Sequence, residues 1–198
     1  MFTFPDTEKK IKNRITKYKR ELQKEKDLTG YINDGFGKRY LLFCFYFVLG
    51  DFDNADEYFE WYKREFSDDI GDPIQQLCWA LSINRMGKDK EARYRLAELM
   101  LSNLYIIPYL LRYEVERYDI WHGINTEDPE YVDFIFDEVK EAITNSDLQW
   151  MKDLYHSPEF THIRERYIEI ERKLKDAKEY EERSKLTDEA DSLLEGLV

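Results

Sequence analysis

The chain has 198 residues, 42% of them hydrophobic and 16% aromatic, which is ample for one compact core and too apolar for a disordered chain. Eight glycines and five prolines are too few for a loop-rich or many-stranded fold. A formal net charge of −12 sets the chain against nucleic-acid phosphates and anionic membrane surfaces and favours basic partners.

Asp6 and Thr7 can cap a first helix that runs to about Lys26, with a narrow apolar stripe of Ile11, Ile15, Tyr18 and Leu22. Residues 1–26 hold nine Lys/Arg against four Asp/Glu, so the remainder carries −17, and the basic helix is expected to lie on that acidic body. Thr29 to Gly37 reads as a loop from its turn formers. A helix then spans about Lys38 to Leu49 and stops at Gly50, and the next runs from near Asp53 to Phe66. Pro73 opens a helix that ends at Gly87, because proline is tolerated in a first turn. Another spans about Asp89 to Leu101, and the apolar stretch 103–112 is helical around Pro108. Residues 113–128 look irregular. Pro129 opens a helix to about Thr144, Asp147 to Tyr155 forms a short one, and Pro158 begins a long one. The stripe of that last helix is Phe160, Ile163, Tyr167, Ile170, Leu174 and Ala177, whose three-four alternation suits packing on another helix. Beyond Tyr180 a frayed tail or a small helix near Leu193 is expected. No strand pattern is present, so the fold class is all-α, one domain over 1–198.

Two segments repeat. Gly50 and Gly87 stand 37 residues apart, and so do Ala55 and Ala92, Phe59 and Leu96, Tyr62 and Leu99. In each, a helix ends on an apolar residue followed by Gly, and a small Ala comes five residues later. Glycine can take the left-handed conformation that turns the chain, and alanine lets two helix axes approach. The pattern over 36–104 resembles the tetratricopeptide repeat, a helix-turn-helix unit of about 34 residues. Ala80 also matches its small first-helix residue. The units diverge: Arg39 and Gln76 replace an early aromatic, and Phe43 stands where a small residue is typical. The resemblance implies antiparallel hairpins in a right-handed α-solenoid, flanked by an N-terminal helix and loop (1–35) and a C-terminal extension (105–198) with a long helix.

The same resemblance implies a concave, protein-binding groove lined by the first helices, at Tyr40, Cys44, Phe47, Leu77, Leu81, Asn84 and Arg85. Tyr40 and Cys44 replace two residues with which chaperone-binding members hold a carboxylate, so a chaperone tail is not the expected ligand. The chain's own terminal helices could equally fill the groove.

Few motifs carry chemistry. Gly35-Phe-Gly37-Lys38 lacks the spacing and the strand of a phosphate loop, although a helix start with two cations could hold a partner's carboxylate. Asp51-Phe-Asp53-Asn54 lacks the later Gly and Glu of a calcium loop and reads as a turn with Asp53 as N-cap. Arg117 and His122 are spaced as in the motif of the all-α HEPN ribonucleases, which they resemble, but Tyr118 replaces a polar residue and the stretch reads as irregular. Glu159-x-x-His162 is a single metal-ligand step where a di-iron bundle needs two. Cys44 and Cys78 read as buried free thiols. No metal, cofactor, nucleic acid or membrane is expected, and the protein reads as soluble and cytoplasmic.

The leading expectation is therefore a non-catalytic adaptor or scaffold that binds another protein or peptide, with a possible homodimer through the long last helix. The alternatives are an acidic inhibitor or immunity-type protein that neutralises a basic partner, and a HEPN-like ribonuclease using Arg117 and His122.

Overall fold

A computed structural model describes residues 2–197. The protein is all-α: ten α-helices and short 3₁₀ turns account for its regular structure, with no strand among the described residues. Helix α1 spans Glu8–Thr29, and Thr7 caps it by accepting the Lys10 N–H at 3.3 Å. Its stripe of Ile11, Ile15, Tyr18 and Leu22 is buried against α2, Lys38–Leu49. Its basic outer face reaches the acidic body at Lys26, whose Nζ lies 2.6 Å from a Glu65 carboxylate oxygen.

Two hairpins follow. α2 turns into α3 (Phe52–Glu65), and α4 (Pro73–Arg85) turns into α5 (Asp89–Ser102). The 37-residue correspondence extends to the hydrogen bonds of the turns. Gly50 and Gly87 have φ of 64° and 73°. Their N–H groups donate to Phe47 O and Asn84 O, and the next residues, Asp51 and Lys88, donate to Tyr46 O and Ile83 O. The Ala55 and Ala92 amides then donate to Asp51 O and Lys88 O. Asp53 lies inside the first turn of α3 rather than capping it, because the chain enters the helix at Phe52.

The hairpins are unequal. α4 and α5 lie in close backbone contact, with Ala80, Ala92 and Ala97 fully buried at the seam. Between α2 and α3 backbone contact is sparser, and the bulky Phe43 ring lies in the seam. It stacks on Phe59 at 4.7 Å and 8°, and meets Tyr58, Tyr62 and Trp79 at 5.0–5.3 Å between ring centroids. The first helices of the two hairpins also pack on each other, α2 against α4.

The C-terminal half wraps this core. α6 (Ile106–Leu110) is followed by an irregular stretch and 3₁₀ turns at Asn125–Glu127 and Pro129–Phe134. The helix expected over 129–144 is broken. Phe136 has extended backbone angles, which turn its ring inward, and only Asp137–Ala142 (α7) is α-helical, lying on α2. α8 (Asn145–Tyr155) and α9 (Pro158–Asp176) follow. Residues Tyr180–Ser192 form a full helix, α10, not a frayed tail, and bury Leu186 against Ile170 and Leu174 of α9. The α9 stripe is thus consumed within the chain, against α5, α8 and α10.

Candidate functional site

Four of the seven groove positions lie inside the core. Cys44, Phe47, Leu77 and Leu81 are buried, while Tyr40, Asn84 and Arg85 are half-buried. Arg85 is engaged by the chain itself. Its guanidinium donates to both Asp147 carboxylate oxygens, at 3.1 and 2.5 Å, and to Ala142 O at 2.7 Å, and it lies 4.7 Å from the Phe47 ring centroid. Burial alone would raise the Asp147 pKa, but the hydrogen bonds from Arg85 and Thr144 outweigh it and hold the carboxylate below its ordinary range. The C-terminal segment therefore closes one end of the face that the repeat would present.

The other end is open. Tyr40 and Cys44 line a groove of about 1060 Å³ between α2, the N-terminal residues 2–4 and residues 125–138. The N-terminal segment is an unexpected part of its wall. Phe4 packs edge-on against Phe45 at 5.1 Å, and Phe2 against Phe136 at 5.5 Å. Two aromatic side chains on the lining are left bare: Phe36 is 87% exposed and Phe134 66%. The Lys38 ammonium stands 5.8 Å from the Phe36 ring centroid.

The polar lining is acidic. Asp72, Asp128, Glu130, Asp133, Asp137 and Glu138 contribute carboxylates, and no Lys or Arg lines the groove. Some are engaged. Asp72 caps α4 through the Ile74 and Gln75 N–H groups at 2.9 and 3.2 Å and accepts the Tyr131 hydroxyl. Burial, with that carboxylate beside it, pushes the Tyr131 phenol well up. Arg117 pairs with Asp128 at 2.6 Å and with Glu130 at 3.5 Å, and Lys140 pairs with Asp137. Asp133 and Glu138 form no ion pair among the described residues, so the groove keeps uncompensated negative charge.

The remaining motifs resolve locally. The start of α2 does not await an outside carboxylate. Asp34, 4% exposed, already accepts the Lys38 and Arg39 N–H groups at 3.0 and 2.8 Å. Arg117 faces Asp128 and Glu130, whereas the His122 Nε2 lies 3.5 Å from the Tyr105 hydroxyl, so each is engaged by a different neighbour on a non-helical stretch. His156 meets the Tyr113 hydroxyl at 2.9 Å. Among the described residues no three His, Cys, Asp or Glu side chains cluster as a metal site would require, and no helix is long and apolar enough to cross a membrane. Cys44 and Cys78 are buried and free.

Phe2, Phe4, Phe134 and Phe136 were not legible as site residues. Phe2 and Phe4 precede the first helix, and Phe134 and Phe136 fall within the stretch expected to be one continuous helix. The chain matches no protein-family model, no curated protein and no solved structure.

Proposed function

We propose that this protein is a non-catalytic interaction module, built on two tetratricopeptide-like hairpins, that binds a basic, apolar segment of a partner protein. The observation that carries the proposal is the groove itself: exposed Phe36 and Phe134 beside Asp133 and Glu138, which form no ion pair among the described residues. A partner segment with aliphatic or aromatic anchors and flanking Lys or Arg would cover the rings and meet Asp133 and Glu138. The equivalent turns at Gly50 and Gly87 support the repeat reading, and Phe43 marks its divergence. The negative field would speed the approach of such a partner, which also suits an inhibitor of a basic protein. A ribonuclease reading has less support, since Arg117 and His122 are engaged by separate neighbours. A dimer through α9 has less support too, because its stripe is already covered.

The test is site-specific photo-cross-linking in the native host. A benzophenone amino acid at position 134 should capture a basic protein, whereas the same group at exposed position 28 should not. Equal capture at both positions, or none at 134, would count against the groove.

A further inference from the structure

A second cleft, which shares the 70–76 and 123–128 segments with the groove as a common wall, opens between α5, the 121–127 loop, α9 and α10, with a volume of about 540 Å³. Its lining carries four carboxylates, Glu98, Glu127, Glu171 and Asp191, and one cation, Arg183. We propose that this cleft is a binding site for an organic cation, an ammonium or guanidinium group, with Glu171 as its principal acceptor.

Glu171 is the observation that points to a ligand. It is only 8% exposed, it lines the cleft, and its carboxylate has neither a hydrogen bond nor an ion pair among the described residues. Its carboxylate oxygens open onto the cleft rather than into the core, and a carboxylate so sheltered is normally paired with a cation. Three of the other charged groups on the lining are engaged elsewhere. Glu98 is held by Arg95 at 2.6 Å, and Glu127 accepts the Gly123 N–H at 2.6 Å. Arg183 donates to the Leu174 and Ala177 carbonyls at 2.7 and 3.2 Å, so it tethers α10 to the end of α9 rather than closing an ion pair with Glu171. Asp191 at the rim forms no ion pair among the described residues. Aromatic faces complete the walls. Trp121, 45% exposed, already carries the Arg183 guanidinium at 5.3 Å from its ring centroid, and Tyr94 and Tyr167 lie on the same lining. Carboxylates in an aromatic-walled pocket are the chemistry that recognises amines and guanidines. Burial, with the Glu127 carboxylate nearby and only partly offset by the Arg183 charge, pushes Glu171 up to about 7, so near neutral pH it is partly protonated and an entering cation would draw it to the ionised form.

Such a cation could be a free polyamine or the side chain of a partner protein, and the probes separate the two. The intact protein is titrated with spermidine, and separately with the N-acetyl amides of lysine and arginine, while the Trp121 indole N–H is followed by NMR. The expected result is a saturable shift with at least one probe, at least tenfold weaker in Glu171→Gln and unaltered in the remote surface variant Glu8→Gln. Binding should also weaken about tenfold from pH 8 to pH 6, as the ionised fraction of Glu171 falls. Response to spermidine alone assigns a polyamine, response to the amino-acid amides alone assigns a side chain, and response to both assigns a site that reads charge. No saturable shift up to about 10 mM of any probe, or binding retained in Glu171→Gln with the fold intact by circular dichroism, overturns the proposal.

Discussion

Removing the Arg85 guanidinium should unclamp the C-terminal segment from the hairpins. Asp147 is 2% exposed. In Arg85→Met it would keep only the Thr144 N–H at 2.8 Å and the Thr144 hydroxyl at 2.6 Å. Breaking one side of a buried pair costs about 3–5 kcal/mol. The two retained hydrogen bonds, and the position of Asp147 in the first turn of α8, favour the lower end, about 3 kcal/mol. For a chain of this size that corresponds to roughly 6–12 °C in the unfolding midpoint. Asp147→Asn should cost less, about 1–2 kcal/mol, because Arg85 is partly exposed and can recover water. The pair should therefore couple in a double-mutant cycle by about 2 kcal/mol. The pH dependence follows from the depressed pKa of Asp147: its contribution is present above the ordinary carboxylate range and is lost as pH falls below about 4. Urea unfolding followed by circular dichroism at pH 7 measures all three variants. An Arg85→Met protein within 1 kcal/mol of wild type would refute the clamp and reopen the face that Arg85 was expected to line.

Three further outcomes are expected. Glu171 is raised from 4.5 to about 7 in the folded state, so the folded protein holds the extra proton between those values and stability falls as pH rises through that window. Glu171→Gln should then stabilise the protein at pH 8 by about 1–2 kcal/mol, allowing for solvent at the cleft mouth, and have no effect at pH 4, as thermal melts at the two pH values would register. Gly50→Ala should cost about 1 kcal/mol from its positive φ alone, since a Cβ there meets nothing within 4 Å, and a larger loss in chemical unfolding would reveal a clash. Phe36→Ser and Phe134→Ser should leave the unfolding free energy within about 0.5 kcal/mol of wild type, because their rings are largely bare, so any loss of partner binding is separable from folding.

Most helix positions were legible in the sequence, because Gly50, Gly87, Pro73 and Pro158 punctuate them where the physics requires: left-handed turns at the ends, proline in the first turns. What escaped was set by tertiary contact. Nothing local distinguishes Phe136 as the residue that breaks a helix, since the break is driven by its ring reaching Phe2 and Phe4. α10 has a weak apolar pattern and is held by Leu186 and by Arg183 on the end of α9. α7 lies on α2, the helix that carries Cys44 and Phe47, a contact that the repeat pattern does not describe. Glu171 was findable: it stands four residues after Tyr167 and three before Leu174, a carboxylate on the apolar face of α9.

Random-peptide display against the intact protein tests the acidic aromatic groove most directly. Enriched peptides should combine Lys or Arg with aromatic or aliphatic anchors, bind less tightly as salt rises, and lose binding to a Phe134→Ser, Glu138→Lys variant that folds normally. Enrichment of acidic peptides, or of peptides that bind the variant as well as the wild type, would contradict the proposal.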